Sequence, residues 1–567
     1  MAPTTGDSRR SSTLVASGIL LSRMSGFVRQ RAIGHFFGLS GLADAFTAAF
    51  RIPNLMQNLL GEGVLSASFI PVYARLLEEG RDEEAGRVAG AIAGLLAIAA
   101  GIITLLAVVF ADPLTGLLAP GYTGARRALT VDLVRIITPG IGFLVLSAWC
   151  LGILNSHRRF FLSYVAPVVW NLIQIVVLVA GGFLLLDSPG TPSLADRSVL
   201  EQLARALGWG TLVGGVAQLL IQLPAVLRLE PHLRASLDVR RDSVKRVLRA
   251  FVPVVGGRGV VQLSAYLDLL LASLLAAGAV TALAFAQQLY LLPVSLFGMS
   301  VAAAELPEMS RTGDRDVTVL DRRLDDGLAR IGFYVTAATV VFLVVGDFLV
   351  GALFRSGSFG RSDEILVWLI LIGFSIGLLA TTSSRLLQSL LYATEDPRTP
   401  AKTAALRVAV SAAIGVLIMF QLDRFGLPDG QIRQLGDLPA FGPLPPELRD
   451  VGDAGERTLR LGAMGLTIGA GVGAWVEYLL LRSALVRNLG VQVRLGGSQR
   501  GRMIVPAVAA AATGLLGRVL LDQLPRWIGG SLTVVLVGLV YVLVATRTGV
   551  DEAHTLARQV RRRLPSG

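Results

Sequence analysis

Three fixed positive charges stand where the chain enters its first apolar segment. In Ser22–Gly38, "SRMSGFVRQRAIGHFFG", Arg23, Arg29 and Arg31 follow the apolar run "LVASGILL", with no acidic residue within reach along the chain. An arginine at the centre of a bilayer costs roughly 2.5–3.5 kcal/mol on insertion scales. Arg31, near one end of the segment, can snorkel to the headgroups. Arg23 and Arg29 lie deeper, and two readings are open for them. Each pairs with an acid on a neighbouring helix, for which Asp44, Glu62, Asp268, Glu305 and Glu477 are available, or both face a water-filled cavity that binds an anion. Six residues apart on a straight helix they point about 120° from each other. Gly26, between them, is where a bend would turn both toward one cavity.

The next segment, "ADAFTAAFRIPNLMQNLLGEGVLSASF", holds Asp44, Arg51, Asn54, Gln57, Asn58 and Glu62. Pro53, Gly61 and Gly63 predict an irregular helix, tolerable in a membrane only where protein or water satisfies the backbone. Asn171, Gln174, Gln218, Gln222, Gln287, Gln288 and Gln388 are amides inside apolar runs, a type that more often bonds helices to one another than holds a ligand. Arg385, in "TTSSRLLQSLL", has no local partner.

The elements that must position these residues are membrane spans. Of 567 residues 53% are hydrophobic and 16% charged, and the mean hydropathy is +0.63. Repeated apolar runs of membrane-spanning length predict an all-α polytopic membrane protein, and the alternating ten-residue segments of a porin-type barrel are absent. Fourteen candidate helices fall at about 11–38, 41–78, 84–111, 127–155, 160–186, 199–227, 244–277, 280–310, 322–353, 364–393, 400–422, 459–487, 502–522 and 527–546. A faint repeat relates the second helix to the eighth through Pro53 and Pro293, then Pro71 and Pro307. It suggests two six-helix lobes around a central cavity, residues 1–228 and 229–490, followed by residues 491–567 with two appended helices and a basic tail. With the N-terminus in the cytoplasm, loops on that side collect roughly 30 Lys/Arg against about 11 opposite, so both termini are cytoplasmic. The start "SRRSSTLVASGILL" lacks a small-residue cleavage site, and the first helix is expected to be retained. The long outer loop, about 423–458, reads as a loosely packed insertion.

Several chemistries are excluded. Cys150 is the single cysteine, and His35, His157, His232 and His554 fit no metal-ligand spacing. Neither lysine, Lys245 nor Lys402, follows a glycine-rich phosphate loop, and no hydrolase or zinc-protease motif occurs. The +12 charge suits loops that face anionic lipid better than it suits nucleic acid. Transport, not catalysis, is the expected activity.

"SRMSGFVRQRAIGHFFG…ADAFTAAFRIPNLMQNLLGEGVLSASFIPVYARLLEEG" resembles the N-terminal signature of the MurJ (MviN) family, and "GGVAQLLIQLP", "LFRSGSFGRSDE" and "LYATEDPRTPAK" resemble its later segments. The resemblance implies a lipid II flippase of the bacterial inner membrane, in the multidrug/oligosaccharidyl-lipid/polysaccharide exporter superfamily. Such a protein moves the undecaprenyl-pyrophosphate-linked peptidoglycan precursor to the periplasmic leaflet by alternating access, for cell-wall biogenesis. It further implies a cationic headgroup cavity and a lipid-tail groove on the last two helices. Guanidinium groups suit a pyrophosphate because they pair with its oxygens bidentately.

Carried over, the family's basic residues fall on Arg23, Arg29 and Arg385, and its acids on Asp44 and Glu62. Asn54, Gln57 and Gln288 complete the expected headgroup site, with Asp44, Glu62, Gly26 and Pro53 for gating or charge balance. Gln57, Asn58, Ala286, Gln287 and Gln288 stand where basic or charged residues are common in the family, and Gln30 replaces an aspartate. No metal or cofactor is implied; a coupling cation or the membrane potential would supply the energy. The expected partners are lipid II, membrane lipids and cell-wall synthesis proteins. Competing readings are a flippase for another polyprenyl-linked glycan, a cation-coupled exporter, and a non-transporting scaffold for cell-wall enzymes.

Overall fold

The computed structural model describes the backbone of residues 5–192, 196–234, 236–302, 305, 317–394, 396–435, 441–449, 458–521 and 523–563. Side chains are described for these except 5–16, 19, 52–53, 256–265, 447–448 and 559–563. Pro53 therefore lies outside the described side chains, and Pro307 outside the described backbone. Helix dominates throughout. Among the described residues ten helices are long and apolar enough to span a bilayer, or eleven if a bent pair is one span. The other three expected spans are the charged ones, Thr5–Phe37, the broken segment Gly41–Glu78, and Asp242–Ser273.

The chain forms two compact units. The first comprises residues 1–278 with 356–359 and 450–455; the second comprises 279–355, 360–449 and 456–567. The helix Asp242–Ser273 falls in the first unit, where it packs against Gly41–Glu78 and Asp82–Leu118, and the last two helices fall in the second.

In the first unit the helices are α1 (Thr5–Phe37), α2 (Gly41–Leu60), α3 (Glu62–Ser68), α4 (Ile70–Glu78), α5 (Asp82–Val109), α6 (Ala111–Leu118), α7 (Gly124–Ser156), α8 (Phe160–Leu185), α9 (Arg197–Leu229) and α10 (Asp242–Ser273). α1 runs through Gly26 without a break, so the expected bend there is not a helix interruption. The break comes instead in the second span, at Gly61 (φ −92°, ψ −150°), whose N–H still bonds to the Gln57 carbonyl at 2.8 Å. α7 is the buried centre, packing against α2, α5 and α9. The amides of this unit act as interhelical bonds. Asn171 donates to Ser25 Oγ at 2.9 Å, Gln174 accepts from Thr211 at 3.3 Å, and Gln218 donates to Ser147 at 2.9 Å.

In the second unit the helix Val317–Phe354 kinks at Val345 (φ −129°, ψ 21°), which frees backbone carbonyls that must be satisfied inside a membrane. Trp368 Nε1 donates to the Phe342 carbonyl at 2.9 Å and Arg518 Nη1 to that of Val344 at 2.7 Å. Arg518 also grips Asp347 with two bonds of 3.0 Å, fastening Ile504–Leu520 to the kinked helix. The final helices are therefore packed through a shared core that includes Phe333, Phe348, Val537 and Tyr541. The expected tenth span is bent by 45° into Arg361–Ile376 and Leu378–Ala393. Part of the outer loop is ordered, with Phe425–Gly426 pairing antiparallel to Arg433–Gln434.

The closest helix pair of this unit joins Arg398–Leu422 to Gly462–Leu489 through Gly465, Gly469 and Gly473, spaced four apart on one face. A Cβ at Gly469 would lie 2.6 Å from the Gly415 nitrogen and from the Ser411 carbonyl oxygen, both backbone atoms that cannot swing aside. Gly469→Val is expected to force the helices apart and destabilise the unit by about 1–3 kcal/mol, read as a lowered melting temperature in detergent, whereas Val at the open position Gly501 leaves it unchanged.

Candidate anion site of the first unit

Three of the acids weighed as partners for the first-helix arginines, Asp44, Glu305 and Glu477, form ion pairs with other arginines. Asp44, fully buried, forms an ion pair with the buried Arg126 at the start of α7. The Gly278 N–H donates to Asp44 Oδ2 at 2.8 Å, and the Arg126 guanidinium stacks 3.8 Å from the Tyr122 ring centroid. Asp268 lies within Coulombic reach of Arg51. In the second unit Glu305 meets Arg323 at 3.6 Å and Arg330 at 3.8 Å, and Glu477 meets Arg407 at 2.9 Å. Glu62 is exposed at the first position of α3, where its charge acts on Tyr164 of α8.

Arg29 is left with a different environment. Its Nε and Nη1 are buried and meet no hydrogen-bond partner among the described residues. Its Cζ lies 5.1 Å from the Trp170 ring centroid and 5.7 Å from that of Phe50, and these two rings stack at 5.5 Å. Trp170 is fixed by its Nε1, which donates to the Thr211 carbonyl of α9 at 3.1 Å. The aromatic faces offset part of the cost of burying the cation, but they accept no N–H bond in the guanidinium plane. Two donors remain for a ligand. The acceptor oxygens of an anion, a phosphate or carboxylate, are the chemistry that fits them.

Arg23 is an exposed residue of α1, six positions from Arg29 on an unbroken helix and so about 120° around it. Gly26 faces α8, with Asn171 Nδ2 4.0 Å from where its Cβ would be. Asn54 and Gln57 are half-buried on α2. Arg385, exposed, and Gln288, half-buried, belong to the second unit. Sequence reading missed Phe50, Trp170 and Arg126. Trp170 had a weak signal, an indole beside Asn171 in an apolar run, and Arg126 had none, since its partner is 82 residues away.

Comparison with known proteins bears on this site. The family model described as Lipid II flippase MurJ matches residues 33–431. A protein of Burkholderia cenocepacia named lipid II flippase MurJ is 30% identical over 512 residues, which cover 89% of this chain and 88% of that protein. One from Bdellovibrio bacteriovorus, named a probable lipid II flippase MurJ, is 31% identical over 423 residues, covering 74% and 78%. Among solved structures, one described as lipid II flippase MurJ in an inward closed conformation superposes with a TM-score of 0.70 at 18% identity, covering 95% of this chain and 99% of that one. An inward-facing MATE-family multidrug transporter of the MOP superfamily gives 0.60 at 17% identity, covering 84% and 99%. The last two likenesses establish the fold of a helical membrane transporter. Matched over most of its length by the family model and by both relatives, this chain belongs to the lipid II flippase MurJ family.

Proposed function

We propose that this chain translocates lipid II from the cytoplasmic to the periplasmic leaflet of the bacterial inner membrane by alternating access, with both termini in the cytoplasm and no enzymatic step. The observation that carries the reading is Arg29, a half-buried arginine whose buried Nε and Nη1 have no partner among the described residues. A pyrophosphate-linked headgroup supplies the acceptor oxygens those donors lack. Arg23 and Arg385 add positive charge, and Asn54, Gln57 and Gln288 add neutral hydrogen bonds to the headgroup. Asp44 balances the charge of Arg126, and Gly26 and Pro53 serve gating in α1 and α2. The membrane potential or a coupling cation drives the cycle without a cofactor. The neutral residues at Gln57, Asn58 and Gln288 favour, as a second reading, a headgroup other than that of lipid II on the same polyprenyl pyrophosphate.

The test is to deplete the native lipid II flippase of a bacterium and express this chain. Restored growth, with the precursor accessible on the outer leaflet, supports the reading. Correctly inserted protein that restores neither overturns it.

Glu62 carries a finer expectation. Because it is exposed, Glu62→Gln should leave the melting temperature unchanged. If its charge is what releases the headgroup, the same change slows flipping several-fold while the precursor stays bound. Equal flipping rates for the two proteins across a range of pH would assign Glu62 no part in transport.

A further inference from the structure

At one end of α8 and α9 the first unit holds a cavity of about 500 Å³ that the reading above does not use. Its lining combines Arg158, Arg159 and Arg228 with apolar residues, Phe160, Phe161 and Leu162 among them. No carboxylate pairs with any of the three arginines among the described residues. The bland account is a solvated basic loop on the side where positive charge collects. Two features set this place apart from such a loop.

First, its walls are tied together. The buried Tyr73 hydroxyl donates to Glu230 Oε2 at 2.7 Å and lies 3.0 Å from His157 Nε2. His157 immediately precedes Arg158 and Arg159, and Glu230 follows Arg228 and Leu229, so one tyrosine holds both arginine-bearing segments. The same bond occupies Glu230, the carboxylate nearest in sequence to Arg228. Second, Arg158 has φ +59°, a left-handed backbone that a non-glycine residue adopts only at a cost. The tight turn is closed by the Arg158 N–H to the Asn155 carbonyl at 3.0 Å and the Arg159 N–H to the Leu154 carbonyl at 2.8 Å. An arginine held in a glycine conformation, beside two more and exposed Phe161, is a built juxtaposition of cations with apolar surface.

We propose that this cavity binds the phosphate headgroup of an anionic phospholipid, with Arg158, Arg159 and Arg228 on the phosphate and an acyl chain along Phe160 and Phe161. Charge complementarity selects an anion, and the apolar part of the lining selects one that carries a hydrocarbon chain over free phosphate. The site lies apart from Arg29 in sequence and uses none of the residues proposed to hold the transported headgroup.

The experiment uses the full chain, reconstituted in nanodiscs of phosphatidylcholine with a minor fraction of phosphatidylglycerol, and counts retained phosphatidylglycerol by native mass spectrometry. The variant Arg158→Gln/Arg159→Gln/Arg228→Gln is expected to retain one phosphatidylglycerol fewer, its affinity reduced at least about tenfold, with an unchanged melting temperature. Lysine at the same three positions, which preserves the charge and serves as the control for folding, should hold the lipid to within about threefold of the parent. Millimolar inorganic phosphate should not displace it. Equal phosphatidylglycerol retention by the parent and the glutamine variant overturns the proposal, as does displacement by inorganic phosphate, which would make the cavity a free-anion site.

Discussion

Arg29→Ala is expected to abolish flipping while the protein still reaches the membrane at its normal level. The variant removes two buried donors that no protein group occupies among the described residues. In a cavity of low dielectric, charge-assisted bonds to a phosphate are about twice as strong as neutral ones. Losing the pair should cost roughly 3 kcal/mol of headgroup binding, a factor above one hundred. Folding should not suffer in proportion, because Arg29 has no ion-pair partner among the described residues to strand and removing an intramembrane charge eases insertion. Arg29→Lys should recover function only in part, since an ammonium keeps the charge and loses the planar fork. Trp170→Leu, which takes away one of the two aromatic faces, should have a smaller effect than Arg29→Ala. The measurement is growth of a flippase-depleted strain carrying each variant, with outer-leaflet accessibility of the precursor and protein level followed together. Full growth of Arg29→Ala at normal expression would sink the anion-site reading and put the scaffold hypothesis first.

Asp44→Ala should produce the largest loss of stability among the charged residues of the first unit. Asp44 and Arg126 are almost fully shielded from solvent, and the carboxylate also receives the Gly278 N–H. Removing one partner of a buried pair leaves the other charge without compensation, which costs about 3–5 kcal/mol. The expected readout is a sharply lower melting temperature in detergent and less protein in the membrane. Arg126→Leu in the Asp44→Ala background should recover a large part of that loss, because an apolar replacement removes the stranded cation. That recovery separates a lost ion pair from a general packing defect. A melting temperature for Asp44→Ala equal to that of the parent would show that the pair contributes nothing, and would return Asp44 to the gating role that the family resemblance suggested for it.

The class, the approximate placing of the spans and the most polar of them were legible in the chain, because hydrophobic length and charge are local properties. The arginines of α1 and the polar, glycine-interrupted second span announced themselves by their insertion cost. The family signature also lies in contiguous residues. What the local record could not contain is partnership. Asp44 stood as a partner for the first-helix arginines or a charge-balancing acid until folding brought Arg126 to it across 82 residues. Glu477 likewise belongs to Arg407, 70 residues away. Arg29 stayed without an acid for the complementary reason, since packing placed Phe50 of α2 and Trp170 of α8 against it. The same holds for α10, which sequence order assigns to a second repeat and tertiary contact assigns to the first unit. A buried charge takes its meaning from whatever group desolvates or neutralises it, and in a helical membrane protein that group usually sits on a helix distant in sequence. Composition could say that the charges must be compensated; only packing decided which protein group stands against each of them.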